Sequence, residues 1–290
     1  MTHFEYPKNH SVIYRYRNTE LGGQILLANQ QADLHPYKHD DFFKVIWNQG
    51  SDFSFEIDGQ RISLKKDQLI CLTPLQNPDY STFDSEYYIL LFNREFYCIH
   101  ENDDEVSCEG LLFWGSSERP VVQLNEEEKP KFETLFQVFE DELNTRDNIQ
   151  GEMLRMLLKR LIIKSTRLAR KQFFPQNLGK KNTELIRQFN ILVEQHYREC
   201  HQVSDYAEML HKSPKTLSNL FAEAGQKTPL QLIHHRLVLE AKRQLLKTEK
   251  LTKEIAFHLG FHEPAHFSRF FKKETGKSPS QYRKVSGTIT

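Results

Sequence analysis

The sequence predicts an α+β chain. A small β-barrel or double-sheet jelly roll followed by two helices comes first, then an all-α part of two similar helical hairpins joined by a linker helix. Three observations carry this. Between Phe42 and Phe92 apolar residues recur with period two, as on half-buried strands. From Glu126 onward the period is 3.6, the spacing of amphipathic helices. Towards the carboxy terminus one pattern occurs twice, about fifty residues apart, which marks one supersecondary unit built in duplicate.

In chain order, the start MTHFEYPKNHSVIYRYRN lacks the apolar core of a signal peptide, and no long apolar run suggests a membrane span. A cytoplasmic chain with no membrane partner is expected. Phe42-Phe43-Lys44-Val45-Ile46-Trp47 reads as a strand. Phe53, Phe55 and Ile57 alternate with polar residues, Asp58-Gly59 suits the positive φ angles of a tight turn, and Ile62 and Leu64 resume the alternation as a hairpin. Leu69–Leu72 and Tyr87–Phe92 follow, separated by a turn-rich stretch around Pro74 and Asn77-Pro78. Several short strands at this spacing imply the barrel or jelly roll. Barrel mouths are common ligand sites, so Trp47, Phe53, Phe55, Tyr88 and Trp114 are candidates for lining an effector pocket, against the alternative that they are plain core.

Two helices are expected next, Glu126 to Leu143 and Ile149 to Leu168. Phe132, Leu135, Phe136, Phe139 and Leu143 form the apolar face of the first; Met153, Leu154, Leu157, Leu158, Leu161, Ile162 and Leu168 form that of the second. KQFFPQNLGKKN, with Pro175 and Gly179, reads as a linker. The expected organisation is therefore 1–125, a β-rich domain; 126–173, a helical pair; 174–183, a linker; and 184–290, the duplicated helical domain.

In the repeat, Ala207 and Leu210 answer Ala256 and Leu259 at an offset of 49. Pro214, Leu217, Ser218, Phe221 and Pro229 answer Pro264, Phe267, Ser268, Phe271 and Pro279 at an offset of 50, so the copies differ by one residue in the turn. Each copy is two short amphipathic helices around a tight corner, with proline in the first turn of the second helix, where its missing N–H needs no partner. Gly260 supplies the freedom a sharp corner needs, whereas His211 holds the equivalent place in the first copy. One such stretch could be an ordinary hairpin with a solvated basic face. Two copies braced by a connecting helix over Pro229–Leu246 are better suited to successive major-groove faces of double-stranded DNA.

Residues 184–284 resemble the DNA-binding domain of the AraC/XylS transcriptional regulators. The likeness lies in Ile255-Ala256, Gly260-Phe261, Phe267-Ser268-Arg269-Phe270-Phe271-Lys272, Gly276-Lys277-Ser278-Pro279 and Tyr282-Arg283. It implies a sequence-specific transcription factor with an amino-terminal cupin-like domain that senses a small-molecule effector, dimerises, or both. The helical pair would be the place of homodimer contact, and RNA polymerase a further partner. Base reading falls to Lys215, Thr216, Ser218 and Asn219 on the first recognition helix and to Pro264, His266 and Arg269 on the second, since Asn suits adenine and Arg the O6 and N7 of guanine. Lys212, Ser213, Lys272, Lys273 and Lys277, near helix ends and turns, are expected on phosphates.

The runner-up from another class is a cupin-type metalloenzyme with a helical appendage. Its ligands would come from His35, His39, Asp40 and Asp41, but no matching Glu follows, and Gln76 stands after Pro74 where metal-binding cupins carry His. Two ligands leave a divalent ion underheld, so no metal, cofactor or catalytic residue is expected. Formal net charge is zero, yet residues 180–290 carry 19 Lys and Arg against 11 Asp and Glu, leaving the remainder with 20 against 28. A basic half behind an acidic one fits a DNA reader fused to a regulatory domain. Cys71, Cys98, Cys108 and Cys200 show no paired spacing and read as reduced thiols.

Overall fold

The computed structural model describes residues 13–18, 20–29, 34, 37, 41–57, 60–74, 76–99, 101–103, 111–113, 121–175 and 178–286. The chain divides into two compact units, one of residues 1–108 with 120–170, the other of 109–119 with 171–290. The expected turn Asp58-Gly59, the metal candidates His35, His39 and Asp40, and Trp114 and Cys108 lie outside the described residues. Asp41 is described and exposed. Among the described residues no three His, Cys, Asp or Glu gather as a metal cluster, and no helix is long and apolar enough to cross a membrane.

Among the described residues the first unit has eight strands: β1 (Ile13–Arg17), β2 (Gln24–Asn29), β3 (Phe42–Asn48), β4 (Phe53–Ile57), β5 (Gln60–Leu64), β6 (Gln68–Leu72), β7 (Tyr87–Asn93) and β8 (Val121–Gln123). Six of them form one antiparallel sheet in the order β1-β2-β7-β3-β6-β8. β4 and β5 make a separate two-stranded hairpin. Among the described residues the sheet is open, so the closed-barrel form of the expectation gives way to a sheet faced by a hairpin. The hairpin completes the core without joining the ladder. Phe53, Phe55, Ile57 and Leu64 pack with Leu26, Ala28, Phe42, Ile46, Ile70, Leu72, Ile89 and Leu91 from one face of the sheet.

The opposite face is covered by α1 (Lys129–Asn144), whose Phe132 and Phe136 rings lie 6.2 and 5.3 Å from Trp47. With both faces covered, all seven residues of β3 are buried, including Lys44, whose Nζ donates to the Phe42 carbonyl at 2.8 Å. α2 (Gln150–Phe173) follows; its Gly151 lies so close to Tyr16 that a Cβ would meet the hydroxyl oxygen. Cys71, Cys98 and Cys200 are free thiols.

The second unit holds α3 (Lys180–His196), α4 (Val203–Met209), α5 (Pro214–Glu223), α6 (Pro229–Lys247), α7 (Thr252–His258), α8 (Pro264–Thr275) and α9 (Pro279–Ser286). α4–α5 and α7–α8 are the duplicated hairpins, and the duplication extends into the capping. Thr228 N donates to Gln231 Oε1 at the start of α6, and Ser278 N donates to Gln281 Oε1 at the start of α9, both at 2.9 Å. A single apolar core runs through both hairpins. Phe189 of α3 meets Tyr206 and Phe221 of the first, α6 contributes Ile233, Leu237, Ala241 and Leu245, and Ile255, Leu259, Phe267 and Phe271 complete it from the second.

Candidate nucleic-acid interface

The two corners are the same structure at the level of the backbone. In the first, Lys212 N donates to the Ala207 carbonyl at 2.8 Å; in the second, Phe261 N donates to the Ala256 carbonyl at 3.0 Å. His211 and Gly260, the corner residues, both take positive φ, 52° and 77°. Left-handed backbone is costly for a side-chain-bearing residue, so His211 carries strain that Gly260 avoids. At Gly260 there is a second reason for glycine. A Cβ there would stand 1.8 Å from the Arg198 carbonyl oxygen.

α5 begins with proline behind the Ser213 cap, whose Oγ accepts from Thr216 N at 3.0 Å. Leu217, Leu220 and Phe221 face the core, which turns Lys215, Thr216, Ser218 and Asn219 to solvent. Their side chains are not equally available. Thr216 Oγ1 is 2.8 Å from Ser213 Oγ, and Ser218 Oγ donates back to the Pro214 carbonyl at 3.0 Å. Ser213, expected on phosphate, thus uses its hydroxyl as the helix cap. Lys215 and Asn219 make no hydrogen bond or ion pair among the described residues.

α8 likewise starts on Pro264, buries Phe267 and Phe271, and ends at Gly276 with φ 77°. Arg269, Lys272, Lys273 and Lys277 are exposed and unpaired among the described residues, and Pro264 is half-buried. Lys272 and Lys273 occupy the last turn, where cations complement the negative end of the helix dipole. His266 is exposed, with its ring edge-on to Phe261 at 5.5 Å. The second helix therefore offers a fork of donors and a cluster of point charges; the first offers one amide and one ammonium.

Several residues that hold these helices are invisible to local pattern reading. On the core side of α6, Arg236, Glu240 and Gln244 recur every four residues and are buried. Arg236 Nε donates to Glu194 Oε2 at 2.7 Å, and its guanidinium stacks 3.9 Å above the Tyr197 ring. Arg243 and Gln244 both donate to Glu240 Oε1 at 2.9 Å. Burial opposes the charge on Glu240, but the Gln244 amide and the Arg243 and Arg236 guanidiniums outweigh it and hold the carboxyl below its ordinary range. Arg283 donates to the carbonyls of Leu245 and Lys250 at 3.0 and 2.7 Å, so this residue ties α9 to the end of α6. His201, in the loop before α4, sets Nε2 2.9 Å from the Leu259 carbonyl, and burial keeps its ring below the ordinary value of 6.5.

The four described effector candidates of the first unit fall into two aromatic groups. Phe53 and Phe55 belong to an aromatic cluster with Phe83 and Tyr87 between sheet and hairpin. Trp47 and Tyr88 stack on each other at 6.2 Å on the opposite face, where Phe136 lies 5.0 Å from Tyr88. Burial, with Glu140 accepting from its hydroxyl, pushes the Tyr88 phenol well above its ordinary range.

The match to a known family falls on the duplicated hairpins. Residues 206–285 match the family described as a helix-turn-helix domain. The uncharacterised HTH-type transcriptional regulator YisR of Bacillus subtilis is 32% identical over 93 residues, 32% of this chain and 32% of that protein. The bifunctional transcriptional activator/DNA repair enzyme AdaA of Bacillus subtilis is 26% identical over 112 residues, 39% of this chain and 53% of AdaA. The HTH-type transcriptional activator RhaR of Salmonella heidelberg is 24% identical over 200 residues, 68% of this chain and 70% of RhaR. The match thus spans about a third of YisR and about half of AdaA.

Proposed function

We propose, from the premise that this chain carries an AraC-type helix-turn-helix domain at its carboxy terminus, that the protein is a sequence-specific DNA-binding transcriptional regulator. One observation carries the reading: two helices that start on proline, built on one core, each present side-chain donors to solvent that are unpaired among the described residues. α6, at 19 residues, is about 28 Å long. That length suits two heads reading neighbouring major-groove segments, about 34 Å apart. Asn219 and Lys215 read bases from α5, and Arg269 and His266 from α8. Lys212, Lys272, Lys273 and Lys277 neutralise phosphates, a contribution that fixes register and is salt-sensitive.

In the same reading the protein acts in the cytoplasm and is not an enzyme. Residues 1–125 are a cupin-like sensing domain, 126–173 a dimerising helical pair and 174–183 the linker to the DNA-binding domain at 184–290. α2 supports the dimer, because its Met153 and Met156, with Ile149 just before its start, are exposed at a spacing of four and three, a seam for a second copy. Selection of bound duplexes from a random library by the full chain tests the function. A regulator enriches one sequence that binds far more tightly than scrambled DNA at the same salt. No enrichment, or equal affinity for both duplexes, refutes it.

A further inference from the structure

The two hairpins differ at the residue after the corner. In the first it is Lys212, exposed; in the second it is Phe261, which is buried. Phe261 is the hub of the second hairpin, with ring centroids at 5.4 Å from Phe267, 5.3 Å from Phe270 and 5.5 Å from His266. A residue from outside the hairpin closes this cluster. His201, between α3 and α4, lies 4.8 Å from the Phe261 ring while its Nε2 sits 2.9 Å from the carbonyl of Leu259, two residues before Phe261. Gly260 between them leaves space for this approach, since a Cβ there would be 1.8 Å from Arg198 O and 3.4 Å from His201 Nε2. The segment that leads into the first hairpin is therefore the seat on which the corner of the second hairpin rests.

We propose that His201 is a positioning residue for the second reading head, fixing the Leu259–Phe261 corner and through Phe261 the start of α8, where His266 and Arg269 face solvent. The inference rests on the DNA-reading function proposed above. The Leu259 carbonyl can only accept, so Nε2 carries the proton in that bond. The contact spans 58 residues and joins the two hairpins by a route separate from α6. Among the described residues no ring or hydrogen-bond counterpart seats the first corner, where Lys212 is exposed and Phe261 is packed. Loss of the His201 contact should therefore loosen one head and leave the other intact.

The test uses the full-length chain and a random duplex library. The unaltered protein is expected to enrich a two-part sequence. Arg269→Ala marks the part read by α8 by flattening a base preference there, and Asn219→Ala marks the part read by α5. His201→Ala is expected to flatten preference across the Arg269-marked part and to weaken binding to the best sequence on the order of tenfold, about the loss of one good base contact. Its affinity for a duplex with that part scrambled should stay within about twofold of the unaltered protein. His201→Gln, whose amide can donate to the same carbonyl, is expected to restore both. Melting of each variant is followed alongside. Unchanged preference in the Arg269-marked part, or equal loss in both parts with a lowered melting temperature and no rescue by glutamine, overturns the proposal. No enrichment by the unaltered protein overturns the DNA-reading function itself, and this proposal with it.

Discussion

Adding one methyl group at Gly260 measures how tightly the second corner is seated. The backbone there has φ 77°, and the new Cβ would lie 1.8 Å from the Arg198 carbonyl oxygen. Left-handed backbone costs an L-residue about 1–2 kcal/mol. Relief of the overlap needs a separation of roughly 1.5 Å to reach ordinary van der Waals distance, because the blocking atom is backbone and cannot swing aside. That movement would break the bond between His201 and the Leu259 carbonyl, at about 0.5–1.5 kcal/mol. Together Gly260→Ala should destabilise the helical unit by about 1.5–3.5 kcal/mol, or a fall in melting temperature of roughly 6–14 °C for a unit of this size. Thermal unfolding of the full chain followed by circular dichroism reads the change, with the helical unit's transition resolved from that of the sheet-bearing unit. The matched control is His211→Gly at φ 52°, where glycine removes strain and should stabilise by up to about 1 kcal/mol. A Gly260→Ala transition within about 2 °C of the unaltered protein would refute the reasoning, since neither cost could then be real.

Other outcomes follow from the same contacts. Arg269→Ala should cost roughly 1–3 kcal/mol on the selected sequence and relax one base position, whereas Lys273→Ala should weaken all duplexes alike and lower the salt slope by about one; equal losses on selected and scrambled DNA for Arg269→Ala would make it a phosphate contact. Leu217→Ala or Phe267→Ala, both fully buried, should cost about 2–5 kcal/mol in urea titrations, and a loss below about 1 kcal/mol would mean the core collapses around the gap. For pH, burial holds His201 below 6.5, so the unfolded chain takes up a proton that the folded one refuses. Stability from this group is whole above about pH 6.5 and is lost as pH falls through the lowered value. His201→Gln should shrink the slope of stability in that window without abolishing it, because burial and Arg198 also lower His258; an unchanged slope would show that the ring titrates normally. Glu240, held below 4.5 although burial opposes it, adds a second loss at lower pH, which Glu240→Gln should remove.

The helical unit was largely legible in the residues. Its period is clear, and prolines and glycines punctuate it. A connecting helix over Pro229–Leu246 is expected from the sequence, and Pro229–Lys247 is found. The sheet was legible only in part, for reasons of register. β2 reads QILLAN without alternation because it is covered on both faces, and β8 is three residues long, too short for any period to show. Pairing of β7 with both β2 and β3 joins segments far apart in sequence, so local alternation cannot choose between a closed barrel and an open sheet with a hairpin. The same blindness grouped Trp47 with Phe53. Each sits at an alternate position of its own strand, but only the pairing of strands decides which layer each enters. At the interface, the exposed side of α5 and α8 followed from helical spacing. Which hydroxyls are already engaged did not, since Ser213 with Thr216 and Ser218 with Pro214 are matters of rotamer. His201 was illegible because its partner lies 58 residues away.

The apolar core that runs without a break from Phe189 through α6 to Phe271 turns the pair of hairpins into a gauge of fixed gap. A duplex that gains one base pair between two segments shifts the second by about 3.4 Å and turns it by about 35° around the axis. Jaws cast in one piece cannot follow such a drift. The adjustment falls to the duplex, which must twist or bend, and tolerance for spacing should track how easily the intervening base steps deform rather than any give in the protein.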